Sequence, residues 1–240
     1  MAAQKKEGRI PANNNYEWKF IKAAKKLALK KLNFTISKIQ EIPSTKYLSI
    51  KNTGVDKRVQ KKLTDPHSAL LILICQHFKI KKPGPLDVKN ILDSYRKIRK
   101  TLRSYDRDLF RLVSEKTAKE HMESGGDFFG YVIPGDTTIY LNEVYFVFSK
   151  PTETGLQTKP YVSPSFCADA LIHEIFHVCY SSNGVIHRAL TAKSMKVSEL
   201  DNISCESGYT QVKTNLQAMG EAYVFHHFSK CVYQQVNSKK

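Results

Sequence analysis

The stretch SPSFCADALIHEIFHVCY, residues 163–180, is the segment around which the fold is expected to form. Ser163 is a favoured helix N-cap, and Pro164 suits the first helical position, where a missing backbone N–H costs nothing. The residues that follow are mostly apolar, which predicts a buried helix. His173 and His177 are four positions apart and therefore lie on one face of that helix. The stretch thus predicts a buried helix that presents two imidazoles side by side.

The run HEIFH, residues 173–177, fits the H-E-x-x-H pattern of a catalytic zinc site. Two imidazoles at this spacing can bind the same ion. Zinc lowers the pKa of water toward neutrality, and a carboxylate at the position of Glu174 can take the proton as a general base. The competing interpretation is a core helix whose histidines make ordinary hydrogen bonds. We favour Zn²⁺ bound by His173 and His177.

A catalytic zinc site needs a third protein ligand, and two residues downstream are candidates. His187 lies in SSNGVIHRAL, where Gly184 permits a turn that would return the chain to the motif helix. Glu221 lies in the apolar stretch NLQAMGEAYVFHHF, where a buried carboxylate needs a partner. If Glu221 is not a ligand, it can hold a zinc-bound histidine through the free ring nitrogen. His226 and His227 are interpreted as surface or packing residues.

The rest of the pattern predicts an α+β fold with a helical N-terminal part. Residues 16–39 and 86–122 carry apolar residues at helical spacing, so each is predicted to form a long amphipathic helix, with a short buried segment at 67–78 between them. Residues 128–148 are rich in aromatic and β-branched residues around PGD, which predicts two strands joined by a turn. The expected division is a flexible leader at 1–14, a basic and mainly helical part at 15–122 packed on the catalytic region, and a catalytic region at 123–240.

The net charge of +16 is concentrated in the N-terminal half. Residues 1–120 hold 29 Lys and Arg against 11 Asp and Glu, or +18, whereas residues 121–240 hold 9 against 11, or −2. Such asymmetry is common in proteins that bind nucleic acid, an anionic membrane surface or an acidic protein. A solvated lysine-rich surface is the simpler interpretation, and no nucleic-acid-binding module is recognisable.

Other features of the sequence narrow the class of protein. No apolar run approaches the roughly 20 residues of a membrane-spanning helix, so we expect a soluble chain. The N-terminal residues lack the apolar core of a standard secretory signal. The five cysteines are scattered without a CxxC pair. We therefore interpret most of them as buried thiols of a reducing compartment, and not as a disulfide framework or a zinc cluster.

About residues 128–230 resemble the zincin metallopeptidases, in particular the deuterolysin and peptidyl-lysine endopeptidase group. In that group a strand of the type T-I-Y-L-C precedes a proline-containing loop and a helix of the type L-I-H-E-x-x-H. This chain reads TTIYLNEVYF, then SKP, then ALIHEIFH. The resemblance implies a zincin-like catalytic domain with Glu174 as the catalytic base. It also implies that His187 stands where the aspartate ligand of the group's G-T-x-D-x-x-Y turn falls.

Departures from that turn leave the oxyanion-stabilising residue open. Leu190 replaces the tyrosine that serves the group, so another donor is needed, and the candidates are Tyr209, Tyr223 and His226. A second resemblance, to the glutamate zincins that include the anthrax lethal factor type, rests on the run GEAYVFHHF. It implies Glu221 as the third zinc ligand and Tyr209 as the oxyanion donor. We favour His187 as the third ligand.

Two hypotheses of different classes follow. The first is a zinc metalloendopeptidase in which Glu174 acts as the base and the strand TTIYLNEVYF pairs with an extended protein substrate along its edge. Its zinc ligands are His173, His177 and His187. A basic N-terminal part without a standard signal resembles the protease effectors that bacteria inject into host cells, which implies a host signalling protein as substrate and delivery into the host cytoplasm. The second hypothesis is a basic protein that binds nucleic acid or another acidic partner and has a structural or inactive metal site.

Overall fold

The computed structural model describes residues 16–43, 65–121, 129–133, 135–143, 163–180, 205 and 212–237. In chain order they form α1 (Tyr16–Gln40), α2 (Pro66–Phe78), α3 (Pro85–Ser104), a 3₁₀ turn (Arg107–Leu109), β1 (Phe110–Val113), α4 (Glu115–His121), β2 (Gly130–Val132), β3 (Ile139–Asn142), α5 (Pro164–Tyr180), α6 (Asn215–Met219) and α7 (Ala222–Asn237). The described residues are mostly helical and include one small mixed sheet, which is consistent with the predicted α+β class. Within these ranges, no helix combines the length and apolarity needed to cross a membrane.

Helix α1 confirms the helix predicted over residues 16–39. Its buried apolar residues recur three or four positions apart and include Ile21, Ala24, Ala28, Leu32, Ile36 and Ile39. The apolar residues Trp18, Leu27 and Leu29 are half-buried. Lysines such as Lys22, Lys26 and Lys30 are exposed. Because the apolar face is covered within the chain, the helix docks on its own protein as expected.

Helix α2 shows that the short buried segment at 67–78 is helical. Asp65 caps its start, since the carboxylate accepts hydrogen bonds from the backbone N–H of His67 at 3.2 Å and the hydroxyl of Ser68 at 2.7 Å. Pro66 occupies the first turn, and Lys79 ends the helix in the left-handed region with φ 52. The residues between Leu70 and Cys75 are all buried, so the helix shows no polar face there.

The long helix predicted from residue 86 to about residue 122 is wrong in its second half. Helix α3 ends at Ser104, and the chain continues through the 3₁₀ turn, β1 and α4. Asp106 starts the turn, because its carboxylate accepts a hydrogen bond from the backbone N–H of Asp108 at 3.0 Å. Phe110 and Val113, which lie outside the predicted helical stripe, are the buried residues of β1. Pairing with another strand therefore outweighs helical spacing in this segment.

The three strands form one sheet in the order β1-β3-β2. β2 and β3 are antiparallel, with Tyr131 opposite Tyr140, which confirms the predicted strand pair across PGD. Gly135 in that turn has φ +85, a conformation that glycine adopts without strain. β1 runs parallel to β3, with Phe110 opposite Ile139. Both edges of β3 are thus paired, so the expected pairing of substrate with this part of the strand is wrong.

The described residues divide into two compact units, each of which draws on segments far apart in the sequence. The first contains residues up to Ala28 and from Leu102 to Asp201, and the second contains Leu29 to Thr101 and the residues from Asn202 onward. The sheet and α5 belong to the first unit, whereas α2, α6 and α7 belong to the second. The linear division at 15–122 and 123–240 stays a prediction.

Aromatic side chains fill the core of each unit. In the first unit the ring of Phe110 lies 6.1 Å from that of Trp18 and 5.8 Å from that of Tyr105, measured between centroids. In the second unit the ring centroids of the packed pairs among Phe78, Tyr95, Phe225 and Phe228 lie between 5.1 and 6.0 Å apart. Such edge-to-face and tilted pairs add stability beyond their buried area.

The cysteines only partly match the expectation of buried thiols. Cys75, Cys167 and Cys179 are free and buried, as predicted. Cys205 and Cys231 instead form a disulfide across 26 residues within the second unit. The sequence gives no spacing signal for this pair, because the two residues meet only when α7 packs in its unit.

Candidate metal centre

Helix α5 confirms the helix predicted after Ser163. The hydroxyl of Ser163 accepts a hydrogen bond from the backbone N–H of Phe166 at 3.1 Å, and Pro164 is the first helical residue. The helix buries Phe166, Cys167, Ala168, Leu171, Ile172, Glu174, Ile175, Phe176 and Cys179. His173 and His177 are half-buried, so they lie at the boundary between this packed surface and solvent.

The ring nitrogens of His173 and His177 converge. Their Nε2 atoms lie 3.0 Å apart and their ring centroids 4.7 Å apart. Two histidine ligands of one tetrahedral zinc ion, each roughly 2.0–2.1 Å from it, have nitrogens about 3.3 Å apart. The observed spacing is therefore close to the one that a shared ion requires, and the two imidazoles fit a zinc site.

Glu174 is a buried carboxyl between the two histidines in sequence. Burial raises its pKa from 4.5 to about 8. A Cβ atom on Gly130 would lie 3.7 Å from Cγ of Glu174, an ordinary contact distance, so β2 packs against the helix at this point. Nearby, the rings of Phe129 and Phe166 pack edge-to-face with centroids 5.4 Å apart. The carboxyl is thus shielded from water, and its pKa lies near neutral pH.

Two of the predicted site residues, His187 and Tyr209, lie outside the described residues. The third zinc ligand and one candidate oxyanion donor therefore stay predictions. Glu221, Tyr223 and His226 are described and belong to the second unit, whereas the H-E-x-x-H residues belong to the first.

Glu221 has a local role at the start of α7. It immediately precedes the helix, and its carboxylate accepts a hydrogen bond from the backbone N–H of Tyr223 at 3.1 Å. Burial raises the pKa of Glu221, and the hydrogen bond from Tyr223 opposes that rise. The carboxylate is thus partnered as a helix cap without any metal ion.

The two histidines that follow Glu221 lie on the buried face of α7. His226 and His227 are both buried, which confirms the packing alternative of the sequence analysis over the surface alternative. Burial, with a contribution from His227, lowers the pKa of His226 to about 3. The ring of Tyr223 lies 5.5 Å from that of His226 between centroids. A neutral imidazole carries one N–H, so His226 can donate a hydrogen bond.

His77, His227 and Cys231 form a second group that could hold a metal ion, and the sequence analysis missed it. Their ligand atoms lie within 4.8 Å of one another, and all three residues are buried. Burial, with His227 beside it, lowers the pKa of His77 to about 3. A local signal existed in the i, i+4 spacing of His227 and Cys231, but His77 is 150 positions away from His227.

No family model, curated protein or solved structure matches this chain. The resemblances drawn from its motifs therefore stay expectations, and the function has to be argued from the chain's own residues.

Proposed function

We propose that this chain is a zinc-dependent metalloendopeptidase whose zinc ion is bound by His173, His177 and His187. The observation that carries the proposal is the 3.0 Å separation of the Nε2 atoms of His173 and His177. A hydrogen bond shared between the two rings would give a similar distance, so metal content distinguishes the two interpretations. The buried carboxyl of Glu174 beside them favours a catalytic metal site over a hydrogen bond between the rings. Burying a carboxyl is costly, and a helix that only packs does not require one.

A bound zinc ion supplies Lewis acidity, which lowers the pKa of water and polarises a carbonyl. Glu174 takes the proton from the attacking water and then delivers it to the leaving amine. Its burial places the pKa of the carboxyl near 8 in the absence of a cation, and a nearby positive charge lowers that value. The residue can therefore both accept and release a proton near neutral pH.

We favour His187 over Glu221 as the third ligand. Glu221 is buried, yet its carboxylate already accepts the Tyr223 backbone N–H and so needs no metal ion to justify its burial. His187 follows the motif helix closely in sequence, after a turn that Gly184 permits.

The proposed substrate is an extended segment of a protein that pairs with the outer edge of β2. This strand lies at one edge of the described sheet, and its Gly130 lies close to Glu174. Backbone hydrogen bonds along such an edge hold a peptide in extended form irrespective of its side chains. We further propose that bacteria deliver this protein into a host cell, where it cleaves a host signalling protein. This part of the proposal rests only on the basic N-terminal part and the lack of a standard secretory signal in the sequence.

The decisive experiment measures zinc content and proteolysis of an unfolded protein substrate on wild type, Glu174→Gln and His177→Ala. We expect wild type and Glu174→Gln to retain zinc, with proteolysis lost in Glu174→Gln by at least about a hundredfold because the general base is absent. His177→Ala should lose both zinc and activity. His67→Ala is the matched control, since this histidine lies on α2 in the second unit and is not part of the motif, and it should change neither. Unchanged cleavage by Glu174→Gln contradicts the proposal.

The second candidate function is binding of an acidic partner through the basic N-terminal half. Exposed cations on α1 and α3 favour it, including Lys26, Lys97 and Lys100. Against it, Asp93 on α3 pairs with Lys89 at 3.2 Å and with Arg96 at 3.0 Å, which neutralises part of that charge in place. Retention on a polyanion across a salt series tests it, because phosphate-driven binding weakens steeply with salt.

A further inference from the structure

A buried group of three side chains in the second unit has the chemistry of a metal site. His77 lies at the end of α2, and His227 and Cys231 lie one turn apart on α7. Nε2 of His77 is 3.1 Å from Nδ1 of His227. Sγ of Cys231 is 4.0 Å from the same Nδ1, and the three ligand atoms all lie within 4.8 Å of one another. Two imidazoles and one sulfur are therefore close enough to contact the same ion.

The backbone fixes which nitrogen of His77 is available. Nδ1 of His77 lies 2.9 Å from the carbonyl oxygen of Leu73, one turn earlier in α2. Because a carbonyl oxygen only accepts, Nδ1 carries the proton and Nε2 presents its lone pair toward His227. Metal-binding histidines are held in this way, with the second ring nitrogen donating to a backbone carbonyl. His77 is thus oriented as a ligand whether or not an ion is bound.

Aromatic packing keeps the two rings in place. The rings of His77 and His227 stack with centroids 5.1 Å apart, and Phe228 packs edge-on against His77 at 5.4 Å. His77 has no exposed surface, and His227 is 1% exposed. A site enclosed in this way excludes water and strengthens the interaction of an ion with its ligands.

The disulfide determines whether the sulfur can take part. Cys231 is bonded to Cys205, and a disulfide sulfur lacks the thiolate charge that binds a transition metal. In that state His77 Nε2 and His227 Nδ1 satisfy each other by a hydrogen bond. Once the disulfide is reduced, Cys231 can turn toward the two imidazoles and complete a set of three ligands.

We propose that His77, His227 and Cys231 form a redox-gated binding site for a zinc-class divalent ion, separate from the H-E-x-x-H motif. The disulfide accepts two electrons and two protons from a dithiol reductant, which closes to its own disulfide, and Cys205 and Cys231 become thiols. The ion then binds Cys231 as the thiolate, and its proton leaves to solvent. Oxidation by a disulfide-bearing partner reverses the exchange and expels the ion.

The donor set selects the class of ion. Two nitrogens and one thiolate suit zinc, which binds histidine at roughly 2.0–2.1 Å and cysteine at about 2.3 Å in tetrahedral geometry. Such bond lengths place neighbouring nitrogen and sulfur ligands roughly 3.3–3.6 Å apart. The 3.1 Å between the imidazole nitrogens is close to this spacing. Sγ of Cys231 lies 4.0 Å from Nδ1 of His227 and 3.8 Å from its Nε2, so the freed sulfur has to move toward Nδ1 to bind the same ion. The fourth position remains open to another ligand.

Cobalt(II) is the probe, because it replaces zinc and gives a sulfur-to-metal charge-transfer absorption band only when a thiolate binds it. The protein is titrated without oxygen before reduction, and again after treatment with a phosphine reductant that is removed first. We expect no band in the oxidised protein, and a band that rises to saturation with added cobalt after reduction. The H-E-x-x-H motif contributes only nitrogen and oxygen ligands, so its occupancy does not produce this band.

Variants distinguish the role of Cys231 as a ligand from the role of Cys205 as its disulfide partner. Cys205→Ser leaves Cys231 as a thiol and should give the band without any reductant, whereas Cys231→Ser should never give it. Cys75→Ala is the matched control, since Cys75 is a buried free thiol on α2 close in sequence to His77, and it should behave as wild type. Circular dichroism verifies that each variant is folded.

Three outcomes overturn the proposal. Reduced wild type and Cys205→Ser both folded but without the band would show that the cluster binds no ion. A band that persists in Cys231→Ser would assign it to another thiol. A band in the fully oxidised wild type would show that the disulfide does not control metal binding.

Discussion

The hydroxyl of Tyr95 on α3 donates a 2.7 Å hydrogen bond to the backbone carbonyl of Phe225 on α7, and both residues are fully buried. Tyr95→Phe leaves the ring in place and removes this donor. We expect the free energy of unfolding to fall by about 1–2 kcal/mol, because a buried carbonyl loses a partner. Denaturant unfolding measures the change.

Tyr95→Leu adds a second comparison. The ring of Tyr95 packs 5.3 Å from that of Phe225 and 6.0 Å from that of Phe228. Losing the ring should cost roughly 1–3 kcal/mol more than losing the hydroxyl alone. Equal stability of the two variants would mean that the aromatic contacts contribute nothing measurable.

Gly130→Ala should destabilise the sheet. A Cβ atom at this position would lie 3.0 Å from Cδ2 of Leu141 and 3.1 Å from the carbonyl oxygen of Tyr140, closer than side chains normally approach. The backbone oxygen cannot move away freely, so we expect a loss of about 1–3 kcal/mol in thermal or denaturant unfolding. Gly84→Ala is the control, because its Cβ would meet only Oδ2 of Asp87 at 3.6 Å, and its effect should stay within about 1 kcal/mol.

The third ligand of the proposed zinc site can be identified with one pair of variants. Glu221→Gln retains a side-chain oxygen that can accept the Tyr223 backbone N–H, so the start of α7 keeps its cap while the carboxylate is lost. We expect this variant to retain zinc, and His187→Ala to lose it. The opposite result, zinc lost only from Glu221→Gln, would make Glu221 the ligand.

Glu221 should also make stability depend on pH in a defined direction. Burial raises the pKa of this acid in the folded state above its usual 4.5, so the folded protein binds the proton more tightly than the unfolded chain. The stabilisation from the protonated form is complete below about pH 4.5. It is lost as the pH rises through the folded pKa.

The measurement compares metal-free wild type with Glu221→Gln. Free energies of unfolding are measured from about pH 4 to pH 8. The stability of the variant relative to wild type should increase as the pH rises, since glutamine does not ionise. A difference that does not change with pH would mean that this carboxyl titrates alike in the folded and unfolded states.

Local patterns in the sequence predicted the elements whose chemistry is local. The Ser163 cap with Pro164 located the start of α5, and the spacing of Ile21 and Leu32 located the buried face of α1. The β2–β3 pair was predictable because strand residues flank a turn with glycine at its tip. In each case the interacting residues are a few positions apart, so a short window contains the information.

Distant pairing accounts for what the sequence did not predict. Leu109 and Leu112 continue the helical spacing of α3, yet Phe110 pairs with Ile139 and Leu112 with Leu141 in a parallel ladder. The meeting of His77 with His227 likewise depends on the packing of α2 against α7. The nearest local signal, two residues one turn apart on α7, is too common to predict a metal site.

Because the polypeptide leaves and re-enters each compact unit, it crosses between them three times, after Ala28, Thr101 and Asp201. A fragment that begins at residue 123 would lack Phe110 and Trp18 from one aromatic cluster and Phe78 and Tyr95 from the other. Such a fragment could not cover the apolar residues that remain of either cluster, so its expression should give insoluble material.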